Sequence, residues 1–160
     1  MTLKIEGHYH FKVASEVVYQ ALQDEMLIRA AMPGGLHFGR LSPTTFEAEM
    51  EVSLPRVSGR YAGTITVADT ILNEFYVLVV QGSGSHSHVT AEGRVSLDPR
   101  AGGTLLRYQG ETDAIGGLNR LTHRVVQRVA VELINLGLRR LEAEIHRQAG
   151  SRPEYDTWGG

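Results

Sequence analysis

The feature that most constrains the fold is a long segment near the C-terminus, residues 116–148, which predicts one long helix. It contains no proline, begins with two glycines and is followed by Gly150. Apolar residues recur in it at steps of three and four, as they do on one side of an α-helix: Leu118, Leu121, Val125, Val129, Leu133 and Leu136. After Gly137 a second apolar line, Leu138, Leu141 and Ile145, points in another direction. At 1.5 Å per residue, about 30 residues reach about 45 Å and cross a small domain.

Apolar and polar residues alternate through most of the preceding chain, which is the pattern of half-buried β-strands. The predicted strands span residues 3–13, 36–41, 45–54, 57–71, 75–82, 88–98 and 104–113. Residues 75–82 are apolar on both faces, so they predict a central or covered strand. Ser15 is the predicted N-cap of a short helix over residues 16–23, and a second short helix covers residues 25–31. Residues 99–103 predict a hairpin loop.

This order of elements predicts an α+β fold, because a long helix that follows a run of strands must bury its apolar side against their sheet. The short turns favour antiparallel pairing. We therefore expect a curved, seven-stranded antiparallel sheet wrapped around the long C-terminal helix, with two short helices after the first strand. Residues 1–148 are predicted to form a single domain and residues 149–160 a mobile tail.

Composition narrows the class of protein further. The chain has 160 residues and a net charge of −2, which does not favour nucleic-acid binding. It has no cysteine, so disulfides and thiolate chemistry are excluded. It shows no signal peptide and no apolar run long enough for a membrane span, so we expect a soluble, cytoplasmic protein. Seven arginines and three glutamates lie between Gly116 and Arg152; they predict either a solvated helix face or contact with an acidic partner or anionic lipid.

Four glycines, Gly7, Gly63, Gly93 and Gly110, fall on the inward face of predicted strands. They mark bends in a curved sheet, or they leave space beneath it, and one residue can do both. If they leave space, the sequence predicts a mostly apolar ligand pocket. Its predicted lining comprises Gly63 and Gly93, strand residues Tyr9, Phe11, Phe46, Met50, Tyr61 and Tyr108, and helix residues Leu121, Val125 and Val129.

The sequence offers little catalytic chemistry. The pairs His8/His10 and His86/His88 could each chelate a metal from one strand face, but they share that face with charged residues and are better explained as exposed. Neither a nucleophile elbow nor a glycine-rich phosphate loop is present. The inward positions carry almost no ionisable groups, so we predict no catalytic residue, no metal and no cofactor.

The turn that follows the second short helix has two interpretations. Met32-Pro33-Gly34-Gly35-Leu36 combines a stiff proline with two permissive glycines and flanking apolar side chains. It predicts either a gate at the entrance of the pocket or an ordinary turn between helix and strand.

Three stretches of the chain carry a resemblance to a known family. Ile5-Glu6-Gly7, Met32-Pro33-Gly34 and the stretch from Ser58 to Gly63 resemble the carbon monoxide dehydrogenase G-subunit family, and the similarity covers residues 3–147. That family belongs to the START-like (SRPBCC) polyketide cyclase/lipid-transfer superfamily with the helix-grip fold. The resemblance implies an accessory protein of a carbon monoxide dehydrogenase-type molybdenum hydroxylase, engaged in recruitment of the enzyme to the inner face of the membrane or in its assembly. Longer members continue into a membrane-binding tail, whereas here Tyr155 and Trp158 are the candidate interfacial anchors.

Three functions remain open at the level of sequence. The first is a non-catalytic protein that binds a hydrophobic molecule such as a quinone, a lipid or a polycyclic compound. The second is a small cyclase or dehydratase acting in the same pocket, which would require an inward acid–base pair. The third is an assembly factor whose outer surface makes the functional contacts. The tyrosines without an obvious partner acid favour the first.

Overall fold

The computed structural model describes residues 2–54, 57–84, 87–116 and 123–150. Its elements in chain order are β1 (Thr2–Phe11), α1 (Ser15–Ala21), α2 (Glu25–Ala31), β2 (Gly35–Arg40), β3 (Thr45–Leu54), β4 (Val57–Ile71), β5 (Phe75–Ser83), β6 (Ser87–Arg100), β7 (Gly103–Gly116) and α3 (His123–Gly150).

The strands form one antiparallel sheet in the order β1-β7-β6-β5-β4-β3-β2. Successive strands from β2 to β7 pair as hairpins, and β1 joins the sheet beside β7. The long helix α3 packs against β1 and α2. The predicted fold class is confirmed.

The two apolar lines of α3 are buried to different extents. Leu138, Leu141 and Ile145 are 8%, 1% and 6% exposed and belong to the main core cluster. Val129 and Leu133, from the longer line, are only half-buried. The C-terminal half of the helix therefore anchors it to the core, and the longer line does not provide the tightest contact.

Several predicted boundaries are wrong. Gly116 belongs to β7, so the helix does not begin there, and α3 continues through residues 149 and 150. Ser15 is not the N-cap of α1: Ala14 holds that position without a side-chain hydrogen bond, and the Ser15 hydroxyl lies 3.1 Å from that of Thr104. The strands also extend into the predicted 99–103 loop, which leaves a two-residue turn. Of the tail predicted at 149–160, residues 151–160 lie outside the described residues.

Candidate ligand-binding cavity

A cavity with two lobes lies between the sheet and α3. The outer lobe, of about 320 Å³, is lined by half-buried side chains that include Met32, Met50 and Tyr61. The inner lobe, of about 250 Å³, borders the core residues Tyr76 and Leu138. The two lobes share the lining residues Ile5, Val80 and Thr112, so they lie next to each other.

Small residues on the inward face of the sheet create this space. Gly93 of β6 pairs with Gly110 of β7 under the inner lobe. Under the outer lobe, Gly63 of β4 pairs with Ala48 of β3 on one side and Gly82 of β5 on the other. Side chains of α3 form the opposite wall of both lobes: Val129, Ala130, Leu133, Ile134 and Leu138.

The four inward glycines serve different purposes. A Cβ at Gly63 would overlap the Gln81 carbonyl oxygen, and one at Gly110 would lie 2.5 Å from the Glu92 carbonyl oxygen, so neighbouring strands approach both positions closely. A Cβ at Gly7 would overlap the Tyr108 hydroxyl. At Gly93 the nearest atom would be 3.7 Å away, an ordinary contact. The first three positions accommodate neighbouring groups, and Gly93 leaves free volume.

The structure brings together six of the predicted pocket residues. Met50, Tyr61, Gly63 and Val129 line the outer lobe. Gly93 and Tyr108 line the inner lobe.

The remaining predicted residues lie elsewhere. Phe11 and Phe46 are 0% and 3% exposed and pack in the core, where Phe46 stacks on Phe38 with ring centroids 5.1 Å apart. Tyr9 binds Glu142 of α3. Val125 is half-buried on α3 and lines neither lobe. Leu121 falls outside the described residues.

Sequence reasoning missed several lining residues. Thr112 lies two steps beyond Gly110 on the same face of β7, so strand alternation could have identified it. Leu133 belongs to the longer apolar line of the helix. Tyr76 lies on a strand that is apolar on both faces, and alternation there gives no direction for its side chain.

The predicted gate segment borders the outer lobe through one side chain. Met32 lines that lobe, and Pro33 faces the middle of α3 near Gly137. Gly34 has φ +65°, and a Cβ there would overlap the Glu51 carbonyl oxygen. The Glu51 amide donates a 2.7 Å hydrogen bond to the Gly34 carbonyl, so the turn is fixed to β3. Gly35 and Leu36 are exposed at the start of β2. The gating role stays a prediction.

The hydroxyl groups around the cavity keep their protons at neutral pH. Tyr108 donates a 2.9 Å hydrogen bond to Asn135 Oδ1 of α3, and burial raises its pKa. Burial, and to a smaller extent the neighbouring Tyr19, raises the pKa of Tyr76 well above its ordinary value. The Thr112 hydroxyl donates to the Thr90 carbonyl oxygen at 3.0 Å. These are groups that can orient a neutral ligand.

A polar cluster outside both lobes connects α3 to β1 and the residue that follows it. Glu142 accepts hydrogen bonds from the Tyr9 hydroxyl at 2.6 Å and the Lys12 amide at 2.7 Å, and His146 lies 3.4 Å away. Burial by itself raises the pKa of Glu142, but these hydrogen bonds outweigh it and the pKa is lowered. Burial first, and then the Glu142 carboxylate, raises the pKa of Tyr9 to about 12. The cluster is an anchor for the helix.

The histidine pairs do not converge on a site. His8, His10 and His88 are exposed, and His86 falls outside the described residues. Within the described ranges, no three histidine or acidic side chains lie close enough together to hold a metal ion. In the same ranges, no helix has both the length and the apolar character needed to cross a membrane.

The sequence model of CoxG, the carbon monoxide dehydrogenase G-subunit family, matches residues 7–146. The chain belongs to this family. No match was found among curated proteins. The resemblance seen in the sequence is thereby confirmed for the CoxG family.

Solved structures support the same fold. A conserved protein from Geobacillus kaustophilus is 25% identical with a TM-score of 0.86, over 91% of this chain and 96% of that one. A START superfamily protein from Mycobacterium smegmatis has 16% identity and a TM-score of 0.72, over 91% and 98% of the two chains. The di-domain ARO/CYC StfQ from the steffimycin biosynthetic pathway has 13% identity and a TM-score of 0.67, over 94% of this chain and 53% of StfQ. The helix-grip fold of START-like proteins describes this CoxG chain as well.

Proposed function

We propose that this CoxG protein binds an uncharged hydrophobic small molecule, such as a quinone, a lipid or a polycyclic compound, between its sheet and α3. The observation that carries the proposal is the two-lobed apolar cavity above the Gly93/Gly110 and Gly63/Gly82 pairs. Burying apolar ligand surface in such a site contributes about 25 cal/mol per Å². Neutral hydroxyls at its wall supply orientation, which is the usual construction of a small-molecule site.

Binding is favoured over catalysis by the position of the acidic groups. The half-buried carboxylate of Glu142 accepts hydrogen bonds from Tyr9 and the Lys12 amide and lines neither lobe. Glu92 and Glu111 border the inner lobe, but they are exposed and alternate with the inward residues of β6 and β7, so their side chains project from the outer face of the sheet. A cyclase or dehydratase would need such a group beside its substrate.

The test of ligand binding is a titration with Nile red, an uncharged hydrophobic dye. Gly93→Leu adds a side chain where the free volume lies, so we expect it to weaken dye binding at least tenfold with little change in thermal stability. Thr90→Leu, on the exposed face of the same strand, is the matched control and should bind as the wild type does. Equal affinity in all three proteins would overturn the proposed site.

We further propose that the protein serves a carbon monoxide dehydrogenase-type molybdenum hydroxylase, in recruitment or assembly. Membership of the CoxG family supports this role. Affinity purification of the protein from its own host should recover molybdenum hydroxylase subunits, and native mass spectrometry of the same sample should show a retained lipophilic molecule. Recovery of the molecule without the enzyme would support binding and contradict the partnership.

A further inference from the structure

Tyr76 of β5 stands at the wall of the inner lobe and is 3% exposed. It lies on the inward face, in one cross-strand row with Val95 of β6 and Tyr108 of β7. The next row contains the Gly93/Gly110 pair, so the ring borders the free volume that those glycines leave. On its other side the ring meets Tyr19 edge-on, with centroids 6.0 Å apart.

The hydroxyl of Tyr76 makes no hydrogen bond within the described part of the chain, and its raised pKa comes from burial and from Tyr19 alone. In the same part, the only fully enclosed side-chain nitrogen or oxygen without a partner is Nε2 of Gln23. The Tyr76 hydroxyl is not among such atoms, although the residue is almost entirely buried. The inner lobe is the open space that this residue borders.

The neighbouring hydroxyls on the inner lobe are already committed as donors. Tyr108 donates to Asn135 Oδ1, and Thr112 donates to the Thr90 carbonyl oxygen. Tyr76 thus differs from both of them, because its O–H has no acceptor among the described residues.

A buried hydroxyl without a partner costs free energy that a ligand acceptor would recover. The acceptor should be neutral, since a carboxylate would lose its hydration here without gaining a counter-ion. Arg94 borders the inner lobe, but it is exposed and alternates with the inward residues of β6, so its charged group points away from the lobe. A carbonyl oxygen at the end of an apolar molecule meets both requirements.

We propose that the Tyr76 hydroxyl is a ligand-binding donor that selects hydrophobic molecules carrying a neutral carbonyl oxygen at the end that enters the inner lobe. This inference rests on the proposed function and narrows its ligand class. Tyr108 lies in the same cross-strand row and lines another part of the lobe. Its hydrogen bond to Asn135 of α3 holds the lobe open.

Two probes of equal shape test the selection. Acetylnaphthalene carries a carbonyl oxygen, and isopropenylnaphthalene carries a methylene group in its place. Tyr76→Phe removes only the hydroxyl, so it should weaken ketone binding by about threefold to tenfold and leave hydrocarbon binding unchanged. Tyr19→Phe, at a ring that lines neither lobe, should leave both affinities unchanged.

Two further readouts separate this role from a structural one. In the bound state the carbonyl stretching frequency of the ketone should rise in Tyr76→Phe, because the hydrogen bond is lost. The ligand-free variant should be as stable as the wild type or more so, since the hydroxyl it loses has no partner. An unchanged ketone-to-hydrocarbon ratio in Tyr76→Phe would overturn the inference while the cavity stands. If the wild type binds neither probe, the proposed function fails as well.

Discussion

At the scale of single residues, glycine has two distinct uses in this sheet. Gly63 and Gly110 are glycines because the backbone of a neighbouring strand occupies the place of a side chain. Gly93 has no such neighbour, and its missing side chain is part of the cavity. The same residue type thus allows a close backbone approach at one position and leaves cavity volume at another.

Alanine at these positions should separate the two uses. Gly63→Ala forces a Cβ into the Gln81 carbonyl oxygen, so we expect it to lower the free energy of unfolding by on the order of 1–3 kcal/mol. Gly93→Ala places its Cβ at an ordinary contact distance and should change stability by less than about 0.5 kcal/mol. Urea unfolding of both variants measures the difference. Equal losses would show that Gly93 is also needed for strand packing.

Glu142 should make stability depend on acidity. Its pKa is lowered in the folded protein, so its stabilising contribution is present above the ordinary glutamate pKa, about 4.3, and is lost as the pH falls through the lowered value. We expect Glu142→Gln to melt at a lower temperature than the wild type at pH 7 and the gap to narrow on acidification below about pH 4. Glu132→Gln, at an exposed position of the same helix, is the control, and its difference in melting temperature from the wild type should not change with pH. If the difference in melting temperature between Glu142→Gln and the wild type stays constant across this pH range, the stabilising role of Glu142 is contradicted.

At the scale of elements, α3 divides into an anchored half and a half that covers the cavity. The anchored half carries Leu141 and the Glu142 cluster, which fix the helix to the core and to β1. The covering half places Val129 and Leu133 over the outer lobe. Gly137 lies between the two halves, facing Pro33 of the predicted gate.

A matched pair of truncations should reveal this division. Leu141→Ala removes a fully buried side chain, and we expect a loss of about 2–5 kcal/mol in the free energy of unfolding. Leu133→Ala removes a half-buried side chain that already borders empty volume, so it should cost less than half as much. Chemical denaturation of both variants measures the two losses, and equal values would contradict a covering role for the first half.

The sequence could predict features that depend on local patterns, but not those that depend on how α3 lies across the sheet. Strand alternation and helical periodicity predicted the order of elements and the inward glycines, because both patterns are local. They could not show which apolar line of α3 meets the core, since that depends on the angle at which the helix crosses the sheet. For the same reason Phe11 and Phe46, inward by alternation, lie in the core and not in the pocket. The unpaired hydroxyl of Tyr76 is likewise a property of its neighbours in space.

At the scale of the whole molecule, the sheet and α3 border a space that core packing leaves unfilled. Protein interiors are normally packed as densely as organic crystals, so lobes of about 320 and 250 Å³ are a cost to stability. The Tyr9–Glu142 contact and the Tyr108–Asn135 contact hold the helix above that space. The central claim is therefore that the space is kept open for a hydrophobic ligand.

The most direct measurement is a crystal structure of the protein soaked with bromonaphthalene, with the bromine located by its anomalous scattering. We expect the bromine between α3 and the Gly93/Gly110 pair, or above Gly63 in the outer lobe, and its loss from the inner lobe in Gly93→Leu. Bromine only on the outer surface of the wild type, with side chains filling both lobes, would contradict the claim.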